Sequence, residues 1–286
     1  MIKGSNRLDT VKEYYFSKKL REVASLIKSG KPIINMGIGS PDLFPSKTVI
    51  NILKNSLSDL NSHRYQSYQG LPEFREAISK FYLKFFKVKS SPVDEILPLM
   101  GSKEGIMHIS MAFLNKGDEV LIPNPGYPTY LTVTNLVEAS PVFYDLKKEN
   151  NWFPDLIELQ KKDLKKVKIM WINYPHMPTG SSATKKQLSE LIKFSAKNNI
   201  LLINDNPYSF ILNDDFISLL TLNKAKENCM ELNSLSKSFN LSGWRVGMLL
   251  GSKENISRVL KVKSNMDSGM FYGIQKGAIE ALNLDK

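Results

Sequence analysis

Apolar residues along this chain recur in two rhythms. Short, β-prone apolar runs at 95–100, 119–122, 141–144, 167–173, 200–204, 229–233 and 246–250 read as strands. Between them lie stretches of helical spacing, from just after Gly101 to Leu114, at 129–137 and at 185–197. The last of these carries its apolar stripe at Leu188, Leu191, Ile192 and Phe194, and a final helix is read at 273–284. Pro123-Asn124-Pro125-Gly126 closes the second strand, and Pro175 and Pro178 stop the fourth. Strand–helix alternation of this kind argues for an α/β fold with a largely parallel sheet covered on both faces. No internal repeat or low-complexity tract interrupts it.

The chemistry-bearing residues fall where strand-like runs end. Gly101, Tyr127, Asn173, Asp205 and Ser234 each lie at or just past such an end, and open α/β sheets bind ligands beyond the carboxyl ends of their strands. Lys237 follows in the run Asn233-Ser234-Leu235-Ser236-Lys237-Ser238-Phe239, with Arg245 eight positions on. An amine (Lys237), a carboxylate (Asp205), a phenol (Tyr208) and an anion-binding arginine (Arg245) are together what pyridoxal phosphate needs from a protein. Each alone has a plainer use: a surface lysine, a helix-capping aspartate, a buried tyrosine with a satisfied hydroxyl.

Bulk properties narrow the field. The 286 residues suffice for one large domain or one and a half smaller ones. A single cysteine, Cys229, excludes an internal disulfide and suits a reducing, cytoplasmic setting. The three histidines, His63, His108 and His176, are scattered and suggest no metal site. No basic-then-apolar leader opens the chain, and no apolar run approaches the roughly 20 residues of a membrane span. The net charge of +11 is spread over single lysines and short pairs such as Lys161-Lys162 and Lys165-Lys166, which reads as a solvated surface rather than a nucleic-acid footprint.

From about Gly37 onward the chain resembles the class I/II aminotransferases, fold-type I pyridoxal-phosphate enzymes. The motifs are Gly39-Ser40-Pro41-Asp42, Tyr65-Gln66-Ser67-Tyr68-Gln69-Gly70, Gly101-Ser102-Lys103-Glu104-Gly105, Pro123-Asn124-Pro125-Gly126-Tyr127-Pro128, Asn173-Tyr174-Pro175-His176-Met177-Pro178-Thr179-Gly180, Asp205-Asn206-Pro207-Tyr208 and the run from Lys237 to Arg245. The resemblance implies a three-layer α/β/α large domain on a mostly parallel mixed sheet. It implies transfer of an amino group between an α-amino acid and a 2-oxo acid, with pyridoxal 5′-phosphate as cofactor. Lys237 is then the Schiff-base lysine and proton shuttle, Asp205 the partner of the ring nitrogen and Tyr208 the hydrogen-bond donor to the ring O3′. Gly101, Ser102 and Lys103 open a helix whose free amides suit a phosphate, and Ser234, Ser236 and Arg245 form the side-chain half of that cup. Tyr127 stacks on the ring, and Asn173 is counted with the cofactor-binding set. Tyr65 reaches the phosphate of a neighbouring subunit, which implies a homodimer with shared sites, and Gly39 lies beside the substrate carboxylate.

Two departures stand out. The family usually places asparagine where this chain has Met177, and methionine cannot donate a hydrogen bond to O3′. The chain also stops at Asp285-Lys286, soon after the helix read at 273–284. The expected organisation is therefore an N-terminal arm with part of a small domain over 1–45 and the cofactor-binding large domain over 46–286, without the C-terminal small domain that carries the substrate-clamping arginine. A C–S β-lyase would use the same Lys237 and Asp205, and a cofactor-binding but inactive truncated aminotransferase is a further alternative. A regulator with an aminotransferase-like domain is disfavoured, since about 36 residues precede the first motif and domains rarely fall below about 50. The aromatic group Tyr14-Tyr15-Phe16 reads more readily as packing than as a pocket wall.

Overall fold

Seven strands form one sheet in the order β1-β7-β6-β5-β4-β2-β3. They are β1 (Ile96–Leu99), β2 (Glu119–Asn124), β3 (Ser140–Asp145), β4 (Val167–Ile172), β5 (Leu201–Asp205), β6 (Cys229–Ser234) and β7 (Gly247–Leu250). The computed structural model describes residues 2–37 and 39–284. Asp285 and Lys286, on which the reading of the chain's end rests, lie outside them. Strands β2 to β6 run parallel, whereas β7 runs antiparallel to both β6 and β1. The sheet is thus mixed and mostly parallel, and all seven runs read as strands are strands.

The helices are α1 (Tyr15–Lys28), α2 (Lys47–Ser56), α3 (Pro72–Phe81), α4 (Ser102–Phe113), α5 (Pro128–Leu136), α6 (Leu156–Gln160), α7 (Lys185–Lys197), α8 (Ala225–Asn228), α9 (Leu235–Ser238), α10 (Lys253–Lys263) and α11 (Tyr272–Asn283). α7 spans the residues its periodicity predicts. Thr184 starts it with a capping box, accepting from the Gln187 amide at 3.2 Å while Gln187 accepts from the Thr184 amide at 2.9 Å. Pro72 opens α3, where a missing N–H costs nothing.

Two apolar layers sandwich the sheet, as near-continuous apolar strands demand. One holds Phe74, Ile78, Leu188, Leu191, Ala278 and Ala281 from α3, α7 and α11. The other holds Ile106, Ile109, Tyr130, Val133, Ile256 and Val259 from α4, α5 and α10. This is the three-layer α/β/α architecture. α11 also packs on α2 and α3, tying the segment from Lys47 onward to the sheet domain. Among the described residues no helix is long and apolar enough to cross a membrane.

Candidate active site

The parallel strands deliver their C-terminal ends to one edge, and the polar residues collect there. Asp205 ends β5, two positions after Ile203 and on the same face. Its carboxylate is buried. Tyr130 of α5 donates its hydroxyl to Asp205 Oδ2 at 2.9 Å, and the Tyr130 ring stacks on Trp171 of β4 with centroids 5.1 Å apart and an interplanar angle of 8°. Asp205 Oδ1 has no hydrogen-bond partner among the described residues. Burial pushes the Asp205 carboxyl up to about 6, against the opposing pull of the Tyr130 bond. A buried oxygen with free lone pairs needs a donor. A protonated ring nitrogen is one, so Asp205 fits the group that the resemblance assigns to it.

Lys237 sits on the short helix α9 that follows β6. Ser234 caps this helix, accepting from the Ser236 amide at 3.1 Å. The Ser234 hydroxyl lies 2.8 Å from Ser236 Oγ and 3.2 Å from the Val246 carbonyl, so it serves its own turn. Lys237 Nζ donates to the Gly39 carbonyl, which brings two separately assigned residues together. Burial, then the Arg245 guanidinium, holds the Lys237 amine below its ordinary value.

The turn after β1 completes the cup. Gly101 has φ +86°, and a Cβ there would collide with the Arg245 guanidinium. Gly247, at the start of β7, lies so close that a Cβ would sit 2.7 Å from the Ser102 amide nitrogen. Arg245 itself adopts φ 57°, and its Nη1 donates to the Ser242 carbonyl at 2.7 Å and towards Ser236 Oγ at 3.5 Å. The first turn of α4 has no side-chain cap, so its leading amides are open to an anion. Burial and Arg245 also lower the Lys103 amine. Arg245 thus lies near enough to two lysines to lower both, a repulsion that a bound dianion would relieve.

Aromatic groups line the rest. Tyr127 meets Tyr130 edge-on at 5.6 Å and 87°, and burial raises its hydroxyl. Tyr208 is half-buried, and burial followed by the Asp205 charge raises its hydroxyl. Tyr14 belongs to this group: its ring lies 3.9 Å from Lys103 Nζ, and its hydroxyl adds to the rise at both Tyr127 and Tyr208. The N-terminal arm therefore packs against the Lys103, Tyr127 and Tyr208 group of its own chain. Asn135 Nδ2 donates to the Thr10 carbonyl at 3.4 Å and Arg7 pairs with Glu138 at 3.6 Å, pinning the arm along α5.

Of two further predicted residues, Asn173 abuts the cluster at Asp205 and Tyr65 stands apart from it. Asn173 Nδ2 donates to the Asp205 carbonyl at 2.5 Å and its Oδ1 accepts from the Met177 amide at 2.7 Å, so it shapes the turn after β4. Tyr65 is 92% exposed and is not brought to this pocket within one chain. Sequence reasoning missed Tyr130 and the role of Tyr14. Tyr130 lies one helical turn beyond Tyr127, but only the register of α5 against β5 shows that it meets Asp205.

Comparison with known proteins places this geometry. Residues 31–285 match the family described as aminotransferase class I and II. The chain is 41% identical to the LL-diaminopimelate aminotransferase of Dehalococcoides mccartyi over 284 residues, 99% of this chain and 73% of that protein. It is 39% identical to the enzyme of the same name from Aquifex aeolicus, covering 99% of this chain and 74% of that one. In three dimensions it is similar to apo-BacF from Bacillus subtilis, with a TM-score of 0.94, 33% identity, and coverage of 100% of this chain and 73% of that one.

Proposed function

Because the chain belongs to the class I and II aminotransferases, we propose which of its residues carry the family's reaction and which substrate they serve. The protein is an aminotransferase, moving an amino group between an α-amino acid and a 2-oxo acid. Membership in the family implies pyridoxal 5′-phosphate as cofactor. When bound, the cofactor supplies an aldehyde that takes up the amino group and a ring that withdraws electrons from the amino-acid α-carbon.

The residues divide the work. Lys237 would hold the cofactor aldehyde and, as a free amine, would move a proton to and from the substrate α-carbon. Burial and the Arg245 charge lower its proton affinity, which favours the free amine that such an exchange needs. Asp205, through the oxygen that Tyr130 leaves free, would keep a proton on the ring nitrogen. Arg245, Ser236 and the amides at the start of α4 would hold the phosphate. Tyr127 would cover one face of the ring. Tyr208 would donate to its phenolate oxygen without help from Met177, which has no donor. Gly39 lies beside the substrate carboxylate, its carbonyl holding the Lys237 amine until substrate arrives.

Tyr65, exposed here, serves the phosphate of a second subunit, which makes the working form a homodimer with shared sites. The large domain begins near residue 46, where α2 starts to pack on α11. The substrate is LL-diaminopimelate, supported by the names of two relatives at 41% and 39% identity. Lys103 and Tyr14 at the pocket mouth offer a cation and a phenol to the far carboxylate and amine of such a long substrate.

The observation that carries the reading is the buried Asp205 oxygen with no hydrogen-bond partner among the described residues, at the end of β5 and beside the β6 end from which Lys237 follows. An amino-donor panel against one 2-oxo acid tests the substrate. LL-diaminopimelate should exceed aspartate in kcat/KM by on the order of 10,000-fold, the discrimination expected of a site that pairs a substrate's polar end. Equal rates for the two donors contradict the assignment.

A further inference from the structure

A buried charge cluster lies behind the first turn of α4, outside the residues assigned above. Lys263, at the end of α10, is 1% exposed, and its ammonium donates to Asp267 Oδ2 at 2.7 Å. Asp267 Oδ1 accepts from the Gly269 amide at 2.7 Å. His108 and Glu104 complete the group: His108 Nε2 lies 3.0 Å from Glu104 Oε1, and Glu104 Oε2 accepts from the Met100 amide at 2.5 Å. Glu104, His108 and Asp267 bring ligand-type atoms within 4.8 Å of one another, and the Lys263 ammonium pairs with the Asp267 carboxylate of that group.

The cluster touches two functional segments. At one end Glu104 fastens Met100, the residue before Gly101. At the other, Asp267 fixes Gly269, which has φ +89° and lies so near Gln66 that a Cβ would sit 2.5 Å from the Gln66 carbonyl oxygen. Gln66 in turn donates to the Asn61 and Arg64 carbonyls at 2.8 and 2.9 Å, bracing the loop from which Tyr65 projects. A buried lysine–aspartate pair is a poor device for stability, since apolar side chains of similar size pack as well without the desolvation cost. Such a pair does fix one arrangement of the segments it joins.

We propose that Asp267, held by Lys263, is a positioning residue that seats the Tyr65 loop against the start of α4. This rests on the assignment of Tyr65 to the phosphate of a neighbouring subunit. The Gly269–Gln66 contact admits no side chain between the two segments, so a shift of Asp267 moves the base of the Tyr65 loop. The cluster thus joins the anion turn of one pocket to the loop offered to the other.

The test compares binding of pyridoxal 5′-phosphate with that of pyridoxal, which lacks the phosphate, by absorbance titration of the full chain. Asp267→Asn keeps an acceptor for Gly269 but sets an amide against Lys263. It should weaken the phosphate-bearing ligand about tenfold, the worth of one hydrogen bond to a charged group, and leave pyridoxal within about twofold. Gly269→Ala, which displaces the Gln66 carbonyl without touching a charge, should give the same signature if the first variant folds poorly. In a Tyr65→Phe background neither change should add further loss. Equal weakening of both ligands, or additive losses with Tyr65→Phe, overturns the proposal and leaves the cluster structural. If Tyr65→Phe alone spares phosphate-dependent affinity, the Tyr65 assignment falls and this inference with it. If Tyr65→Phe weakens that affinity without coupling to Asp267→Asn, this inference falls alone.

Discussion

The Tyr130 hydroxyl donates to one oxygen of Asp205 at 2.9 Å and leaves the other oxygen of that buried carboxylate without a hydrogen-bond partner among the described residues. One bond thus fixes the rotamer of the acid and selects which lone pairs remain for a ligand. The Tyr130–Trp171 stack holds the donor in place from behind.

Tyr130→Phe should therefore loosen Asp205 without changing the shape of the core. A hydrogen bond to a charged group is worth about 1.5–3 kcal/mol, and its loss should lower the melting temperature of the apoprotein. Because that bond opposes the effect of burial, the Asp205 pKa should climb above its present value of about 6. Turnover should fall on the order of tenfold, because a more basic carboxylate competes with the ring nitrogen for the proton it should leave there. Stopped-flow traces and melting curves check the two effects separately. Unchanged turnover at unchanged stability removes Tyr130 from the account.

The same carboxylate makes apoprotein stability depend on pH. Its pKa rises from an ordinary 3.8 in the unfolded chain to about 6 in the fold. The folded state then binds the extra proton between those values. This contribution is present in full below about pH 4 and is lost as pH rises through 6. Two units correspond to about 3 kcal/mol. Denaturant melts of wild type and Asp205→Asn across pH 4–8 should diverge over that window, with the difference smaller once cofactor places a cation against Oδ1. Parallel curves for the two proteins would mean that Asp205 does not titrate as stated.

Much of this framework is legible in the residues themselves. Thr184 and Gln187 announce α7, and turn residues close β2 and β4 where the ladder ends. Gly101, Asp205 and Lys237 stand out because a glycine turn, an acid and an amine each follow a strand. What stayed hidden depends on tertiary register. Nothing in Gly247–Leu250 marks it as antiparallel, since its apolar run resembles those of its parallel neighbours. α1, α2 and α3 lie in the first 90 residues, where no strand alternation guides the reading. Asn173 and Ser234 have the composition of ligand contacts, yet neighbouring backbone groups and the Ser236 hydroxyl, visible only after folding, already bond to their polar atoms.

Gly247→Ala should damage the anion turn from the side. The new methyl would press on the Ser102 amide at 2.7 Å, and backbone cannot rotate away as a side chain can. Overpacking of this kind costs about 1–3 kcal/mol. Affinity for inorganic phosphate, read by isothermal titration, should fall with it. Normal phosphate binding in the variant would show that the first turn of α4 is not the anion seat.

Met177→Asn restores a donor where this chain has none. Its backbone amide is already bound to Asn173 Oδ1 at 2.7 Å, so the turn should survive the change. An added hydrogen bond to the cofactor phenolate should tighten binding by about fivefold to tenfold and shift the pH at which the cofactor band changes colour. A variant with neither change argues that position 177 points away from the ring.

The central claim is that Lys237 forms the covalent link to the cofactor aldehyde. Borohydride reduction of the pyridoxal 5′-phosphate-loaded protein, followed by peptide mass mapping, tests it in one step. The account predicts a single phosphopyridoxyl label on Lys237, absent after Lys237→Ala. A label on Lys103 or another lysine, or no label on a protein that binds the cofactor, would contradict it.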